Sequence, residues 1–261
     1  MTVTDEPRGR VQQVLDACDV LARCAPQLKP KSAFKSCPGG YEFTYAGHIR
    51  EWGYQPRIWS PDPVGKMVAF NREREAAGEK VFWYIHAFLP IAAEAYLHRM
   101  FFWALRKYQV RGAMLYSTCE WDYSEVDRCL DDFVISSRVD GAGTLLWPGE
   151  GRFLDSVRRE TIRDGIGDSD LARLLEARTA ELAAKEPGSA LLEEARAALA
   201  DTDSVFRALE RPEEAAGYAL KLNAGGGPTW AAVNRPQDLY GARERIARLA
   251  EKVEARLGAA R

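Results

Sequence analysis

Several residue patterns that usually mark a metal, nucleotide or membrane protein are scarce in this chain of 261 residues. It has three histidines and five cysteines, and the cysteines form no CxxC pair, so the common Cys/His zinc patterns are missing. The odd number of cysteines argues against a disulfide framework and favours reduced thiols. No Gly-rich phosphate loop follows a predicted strand, which weakens the case for a bound nucleotide. The sequence therefore predicts a protein without a metal or a cofactor.

The balance of charge and hydrophobicity argues against two further classes of partner. A net charge of −2 and a pI near 6.0 give no electrostatic basis for binding nucleic acid or an anionic membrane. No apolar run approaches the roughly 20 residues that a membrane span needs. The polar, acidic start does not resemble a signal peptide, so the sequence as written predicts a cytoplasmic protein, whereas a longer parent protein could be exported.

Aromatic residues are concentrated in the first part of the chain, where six of the seven tryptophans precede residue 154. Beyond that point the sequence is rich in Ala, Leu, Glu and Arg, which are strong helix formers. We therefore predict an α/β part at residues 1–153 and a helical appendage, packed on it, at residues 154–261.

Strand-like and helix-like patterns alternate along the first part. Such alternation predicts parallel strands that are connected by helical crossovers. The predicted strands are a short one from Val3, then 31–34, 57–59, 80–86 and 113–117, and the predicted helices are 9–25, 64–77 and 93–108. We interpret this pattern as a partial (half) TIM-type βα barrel of about four to five parallel strands, although an open doubly wound sheet fits the same alternation.

The second part contains four predicted helices. Three cover residues 156–162, 171–184 and 190–200, and the fourth is an amphipathic helix near the end of the chain. Between the first two, Arg163 is predicted to pair with an acid, and Asp168 to cap a helix that begins at Ser169. A catalytic role for these charged residues is the alternative.

An adjacent pair of carboxylates, Asp5 and Glu6, ends the first predicted strand and precedes Pro7. In a βα barrel the chemistry lies where strands end and loops begin, and paired carboxylates are the groups that hydrolyse glycosides. Neighbours within a strand face opposite ways, but the chain can turn at a strand end, where Pro7 holds Glu6 extended. The alternative is an acidic segment that stabilises the helix beginning near Arg8.

Aromatic and polar side chains also lie at or just after the ends of later predicted strands, where a sugar ring could stack and its hydroxyls could be bound. We predict that substrate is bound by Trp59, Tyr84, His86, Tyr116 and Trp121. Because Trp83 alternates with Tyr84, at most one of them faces the interior, and we favour Tyr84 together with His86. Packing in the core is the alternative for each aromatic residue and, with equal weight, for His86.

Five stretches, in this order along the chain, carry a resemblance to a known family. They are Asp5–Pro7, Lys80–Tyr84, Arg99–Trp103 leading through Gly112 to Tyr116, Asp140–Gly149, and Ser156–Arg158 followed by Ile162–Ile166 and Asp168. Together they resemble the C-terminal portion of bacterial proteins related to glycoside hydrolase family 123, including the domain of unknown function 4091. The resemblance extends from residue 3 to about residue 178.

The resemblance implies a βα-barrel catalytic domain that acts on N-acetylhexosaminides, of the N-acetylgalactosaminide type, without a cofactor. In this family the substrate's own 2-acetamido oxygen attacks the anomeric carbon, and the configuration is retained. Carried to this sequence, Asp5 would orient the acetamido group, and Glu6 would act first as general acid and then as general base. The expected partner is a carbohydrate substrate.

The same resemblance leaves the first three strands of the expected barrel unaccounted for. We therefore expect a truncated or mis-started form of a longer enzyme, or one half of a split enzyme, inactive on its own. A half barrel has unpaired edges and an uncovered apolar face, so we expect self-association or a partner that carries the missing half. Two other functions stay open: a non-catalytic carbohydrate-binding remnant, and an interaction protein that acts through the helices of residues 169–261.

Overall fold

The computed structural model describes residues 2–5, 10–34, 44–54, 63–86, 96–116, 145–202 and 236–259. The strands are β1 (Thr2–Asp5), β2 (Lys31–Phe34), β3 (Glu51–Tyr54), β4 (Lys80–His86), β5 (Gly112–Tyr116), β6 (Trp147–Gly149) and β7 (Arg152–Leu154). The helices are α1 (Val11–Cys24), α2 (Pro63–Ala76), α3 (Tyr96–Lys107), α4 (Val157–Lys185), α5 (Ala190–Asp201) and α6 (Pro236–Ala259).

Strands β1 to β5 form one parallel sheet, in which the strand order follows the order along the chain. Helices connect three of the four successive pairs of strands, so the predicted α/β class is confirmed. The order of the five strands nowhere reverses, whereas a doubly wound sheet has a point where it does. Strands β6 and β7 form a separate antiparallel hairpin.

Helices cover one face of the sheet. Aromatic side chains from residues 1–153 fill the space between this face and the helices. Trp83 of β4 is fully buried, with its ring centroid 5.0 Å from that of Tyr108 and 6.3 Å from that of Phe101 in α3. On the neighbouring strand, Trp52 lies edge-on to Phe70 of α2 at 5.5 Å. The density of large rings explains why strands as short as four residues can hold their helices in place.

The predicted secondary structure differs from the described structure in three places, one of which is the hairpin, since neither β6 nor β7 was predicted. Strand β3, at Glu51–Tyr54, was not predicted; the predicted strand 57–59 lies outside the described residues. The helices predicted at 156–162 and 171–184 are one continuous helix, α4, capped at its start by the Ser156 hydroxyl, which accepts a hydrogen bond from Arg159 N at 3.2 Å. Asp168 lies inside this helix and therefore does not cap a new one.

The close packing of α3 against α4 depends on Gly165. A Cβ atom at this position would lie 2.6 Å from the Phe102 ring and 2.8 Å from the carbonyl oxygen of Arg99. Gly167, one half-turn further along, would place a Cβ with no atom within 4 Å. Gly165 and Gly167 therefore have different roles, since only the absence of a side chain at Gly165 lets α3 and α4 approach each other.

Replacing Gly165 by alanine is expected to destabilise the fold by about 1–3 kcal/mol, because the backbone of α3 cannot move aside cheaply. Gly167→Ala is the matched control, since it adds the same methyl group to the same helix in open space. We expect it to leave stability unchanged or to raise it by up to about 1 kcal/mol. Urea unfolding of both variants measures the difference, and equal effects would contradict the close approach of the two helices.

A buried carboxylate organises the amino ends of the strands. Glu79, 4% exposed, accepts hydrogen bonds from Trp52 Nε1 at 2.7 Å, Gly47 N at 3.0 Å and Arg74 Nη1 at 3.2 Å. These contacts tie the loop before β3, strand β3 itself and helix α2 to the residue that precedes β4. These donors supply the hydrogen bonds that a carboxylate needs when it is buried.

Candidate functional site

The carboxyl ends of the five parallel strands lie at one edge of the sheet, where three of the predicted site residues occupy the last position of a strand. These are Asp5 in β1, His86 in β4 and Tyr116 in β5. Tyr84 lies two residues before the end of β4. Glu6, Trp59 and Trp121 lie outside the described residues. The structure thus describes four of the seven predicted residues; it pairs His86 with Tyr116, whereas the register places Asp5 level with Phe82, four residues before His86.

The register of the sheet fixes how far apart these positions are along that edge. His86 is paired with Tyr116, and Tyr84 with Met114, so both predicted residues of β4 have neighbours on β5. Asp5 belongs to a row that runs through Ala33, Gly53 and Phe82. With strands about 4.8 Å apart and a rise of about 3.3 Å per residue, Asp5 lies about 14 Å from Phe82 across the sheet, and His86 lies about 13 Å further along β4.

Strand β1 contains an irregularity just before the acidic residue. Thr2 is paired with Lys31 and Thr4 with Ser32, so one extra residue, Val3, is accommodated in β1. Such bulges increase the local twist and change the direction of the residues that follow, and they are frequent beside active sites. The turn that the sequence predicts after Asp5 lies outside the described residues, and the bulge lies two residues before Asp5.

The sheet face opposite to the helices has an aromatic floor that the sequence analysis did not identify. The Phe82 ring lies over Gly53 so closely that a Cβ there would be 2.3 Å from the ring. The Lys31 ammonium lies 4.4 Å from the centre of the same ring, in a cation–π contact. Phe82 thereby reaches from β4 across β3 to β2, towards the strand that carries Asp5. Residues two apart in a strand lie on the same face, so the sequence position of Phe82 relative to Tyr84 could have predicted this placement.

Tyr84 and Trp83 occupy opposite faces of β4. Trp83 packs beneath the helices, and Tyr84, which alternates with it, shares the other face with Phe82. Tyr84 is 5% exposed, so its ring is packed into the structure and leaves little surface for stacking against a ligand. This burial favours packing in the core, rather than contact with a substrate, as the role of the Tyr84 ring.

The charged segment at residues 163–168 connects helices through Asp168. Asp168 accepts hydrogen bonds from Arg99 Nε at 2.6 Å, Arg99 Nη2 at 2.9 Å, Trp103 Nε1 at 3.0 Å and Arg243 Nε at 2.8 Å. The hydrogen bond to Asp168 raises the pKa of the Arg99 guanidinium, against the opposing effect of burial. Arg163 forms an exposed ion pair with Glu160, as predicted for a structural arginine. These residues hold α3, α4 and α6 together.

Within the part of the chain that the structure describes, no group of three or more His, Cys, Asp or Glu residues is arranged to hold a metal ion. Among the described helices, none is both long and apolar enough to cross a membrane.

The fold defines an α/β protein with a parallel sheet in chain order and acidic and aromatic positions at its carboxyl edge. No protein-family model matches the chain, and no curated protein matches it either. A solved structure that does match is a family 123 glycoside hydrolase from Clostridium perfringens, described for its hydrolysis of glycolipid glycans. The two share a TM-score of 0.59 and 14% identity over 98% of this chain, which covers 41% of the hydrolase chain. This similarity shows a shared fold with that part of the hydrolase.

Proposed function

We propose that this chain is a family 123-like glycoside hydrolase module, in which Asp5 and Glu6 hydrolyse N-acetylhexosaminides with the help of the substrate's acetamido group. The observation that carries the proposal is the position of Asp5, at the carboxyl end of a strand in a parallel sheet whose fold matches such a hydrolase. Catalytic residues of βα barrels come from this end of the strands.

In the proposed reaction the acetamido oxygen of the substrate forms a bond to the anomeric carbon as the glycosidic bond breaks. Asp5 holds and orients the acetamido group, while Glu6 gives its proton to the leaving oxygen. Glu6, now a carboxylate, takes a proton from a water molecule that attacks the same carbon and reopens the ring formed by the acetamido group. Two displacements at one carbon retain the configuration of the sugar.

The remaining predicted residues would line the sugar-binding edge. His86 and Tyr116 are paired across adjacent strands, so they can contact neighbouring positions of one ring. Trp59 and Trp121 follow predicted strand ends and would supply stacking surfaces. Tyr84 is buried, and we assign it to the wall beneath the ring, beside Phe82.

We further propose that the five-stranded sheet is a partial TIM-type barrel, because its parallel strands follow the chain order as those of a βα barrel do. Completion of the barrel would require the missing strands, from a partner that carries the other half or from a second copy of this chain. We propose that such an assembly is the active form of the protein.

The substrate itself provides a test of the proposed chemistry. The assembled protein is expected to hydrolyse an aryl 2-acetamido-2-deoxygalactoside and to leave the matching aryl galactoside, which carries a hydroxyl instead of the acetamido group, at least about 100-fold slower. NMR of the first product formed should show retained configuration. Equal hydrolysis of both glycosides, or inversion, would contradict assistance by the acetamido group.

A non-catalytic carbohydrate-binding function is the second candidate, favoured by the aromatic residues of β4 and β5, which include Phe82 on the sheet face opposite to the helices and Tyr116 at the end of its strand. Saturable binding of N-acetylgalactosamine without turnover of any aryl glycoside would support it. The alternative that residues 169–261 act alone is disfavoured, because residue 169 falls inside the continuous helix α4 and Asp168 binds α3.

A further inference from the structure

A cleft at the amino ends of β2, β3 and β4 lies on the edge of the sheet opposite to Asp5. Its volume is about 410 Å³, and its walls are the last turn of α1 and the loops that enter the three strands. Pockets of this size accommodate small organic ligands. The cleft is independent of the proposed catalytic site, because it shares none of that site's residues.

Basic side chains outnumber acidic ones in the lining of this cleft. Arg50, Lys80 and Lys29 line it together with His48, whereas Asp19 is the one carboxylate among the lining residues. Asp19 lies 3.7 Å from His48 Nδ1, so its charge is directed towards the imidazole. The excess of positive charge contrasts with the net charge of −2 for the chain as a whole.

Arg50 and Lys80 are the cations best placed to receive a ligand. Both are exposed, and neither forms an ion pair with any residue that the structure describes. Their backbones are fixed beside each other, since Lys80 N donates to Arg50 O at 2.9 Å and Arg50 N donates to Pro30 O at 2.9 Å. The sheet thus presents a guanidinium and an ammonium group from adjacent strands at one rim.

The cleft is equipped for binding and lacks a reactive nucleophile among its described lining residues. Cys18 lies at its floor, 3% exposed, and burial, together with the charge of Asp19, raises the pKa of its thiol. A protonated thiol is a poor nucleophile. Gly47 and Gly78, with φ of 84° and 74°, form the turns at the mouth and leave it open, since a Cβ on either would meet no atom within 4 Å.

We propose that this cleft binds the phosphate or sulfate group of a small anionic molecule, with Arg50 and Lys80 as the principal contacts. A guanidinium offers paired donors to a tetrahedral oxyanion, and an ammonium adds a compact charge beside it. The phosphate or sulfate group alone would fill only a small part of the cleft. The rest of the bound molecule would have room between α1 and the loops that precede the three strands.

Calorimetric titration of the full chain with sodium phosphate, and separately with sodium sulfate, tests this site at an ionic strength held constant with sodium chloride. We expect saturable binding of at least one anion, with a Kd on the order of 1 mM. The double variant Arg50→Gln/Lys80→Gln should bind at least about tenfold more weakly. Tighter binding of phosphate assigns the site to phosphate esters, and tighter binding of sulfate to sulfate esters.

The control is Arg196→Gln/Lys252→Gln, which removes the same charge from exposed positions on α5 and α6 and should bind like the parent chain. Circular dichroism checks that all variants are folded. Absence of saturable binding by the parent chain would overturn the proposal. So would an equal loss in both double variants, which would indicate a general charge effect.

Discussion

Asp168→Asn is expected to lower the free energy of unfolding by about 3–5 kcal/mol, the range found when one partner of a buried ion pair is removed. Asparagine keeps the size of the side chain but loses its charge and one acceptor oxygen. Arg99, whose side chain is 9% exposed, would then retain Asp164, at 3.6 Å and itself half exposed, as its one ionic partner among the residues that the structure describes. Arg243 is 49% exposed and can turn towards water, so the main cost falls on Arg99.

Asp170→Asn is the matched control for this prediction. It lies on the same helix, and its contact with Arg173 is 4.0 Å long between side chains that are 67% and 58% exposed. An exposed pair of this kind contributes less than about 1 kcal/mol. The midpoints of urea unfolding for the two variants should therefore differ clearly. Similar midpoints would show that the contacts of Asp168 contribute little to stability.

Glu6→Gln is expected to reduce hydrolysis of an unactivated N-acetylhexosaminide by about 10²–10⁴-fold in the assembled protein, because glutamine cannot donate the proton that the leaving oxygen needs. The loss should be smaller on a 4-nitrophenyl glycoside, whose leaving group departs without full protonation. This dependence on the leaving group distinguishes the loss of a general acid from general damage to the site. Initial rates on the two substrates measure it.

Glu150→Gln provides the control for Glu6→Gln, since it makes the same substitution at an exposed position in the hairpin between β6 and β7. It should have the rate of the parent chain on both substrates. If Glu6→Gln loses the same factor on both glycosides, Glu6 is not the acid. If it loses nothing, the assignment of the acidic pair to catalysis is wrong.

The strands with strong local signals could be predicted from the sequence to the residue. β4 has the predicted bounds, because the run Val81-Phe82-Trp83-Tyr84-Ile85 has high β propensity whatever its surroundings. β2 also has the predicted bounds, although only Phe34 in it favours a strand. Strand β3 has no such run, since it begins with Glu51 and contains Gly53. Its existence depends on pairing with β2 and β4 and on Phe82 packing over Gly53, and these contacts form only in the tertiary structure.

Helix α4 was divided in the prediction, which ended one helix at residue 162 and interpreted Asp168 as the cap of a second helix that begins at Ser169. In the structure Gly165 is required by the approach of α3, and the charge of Asp168 is neutralised by Arg99 and Arg243. These partners are about 70 residues away in each direction along the chain. The helix propensities of the neighbouring residues alone therefore cannot predict that residues 163–168 are helical.

For the candidate site, the sequence could identify which residues end a strand but not how they are arranged across the sheet. Asp5, His86 and Tyr116 are strand ends, yet their separation depends on the strand order and on the register. The extra residue at Val3 and the floor made by Phe82 depend on pairing and packing between strands.

The buried apolar residues form one continuous cluster that extends from Val14 in α1 to Leu257 in α6. The sheet and the C-terminal helices therefore have no separate interiors, and the loss of either would expose the other. Such a chain should melt cooperatively, as a single folding unit, with sheet and helices lost in one transition.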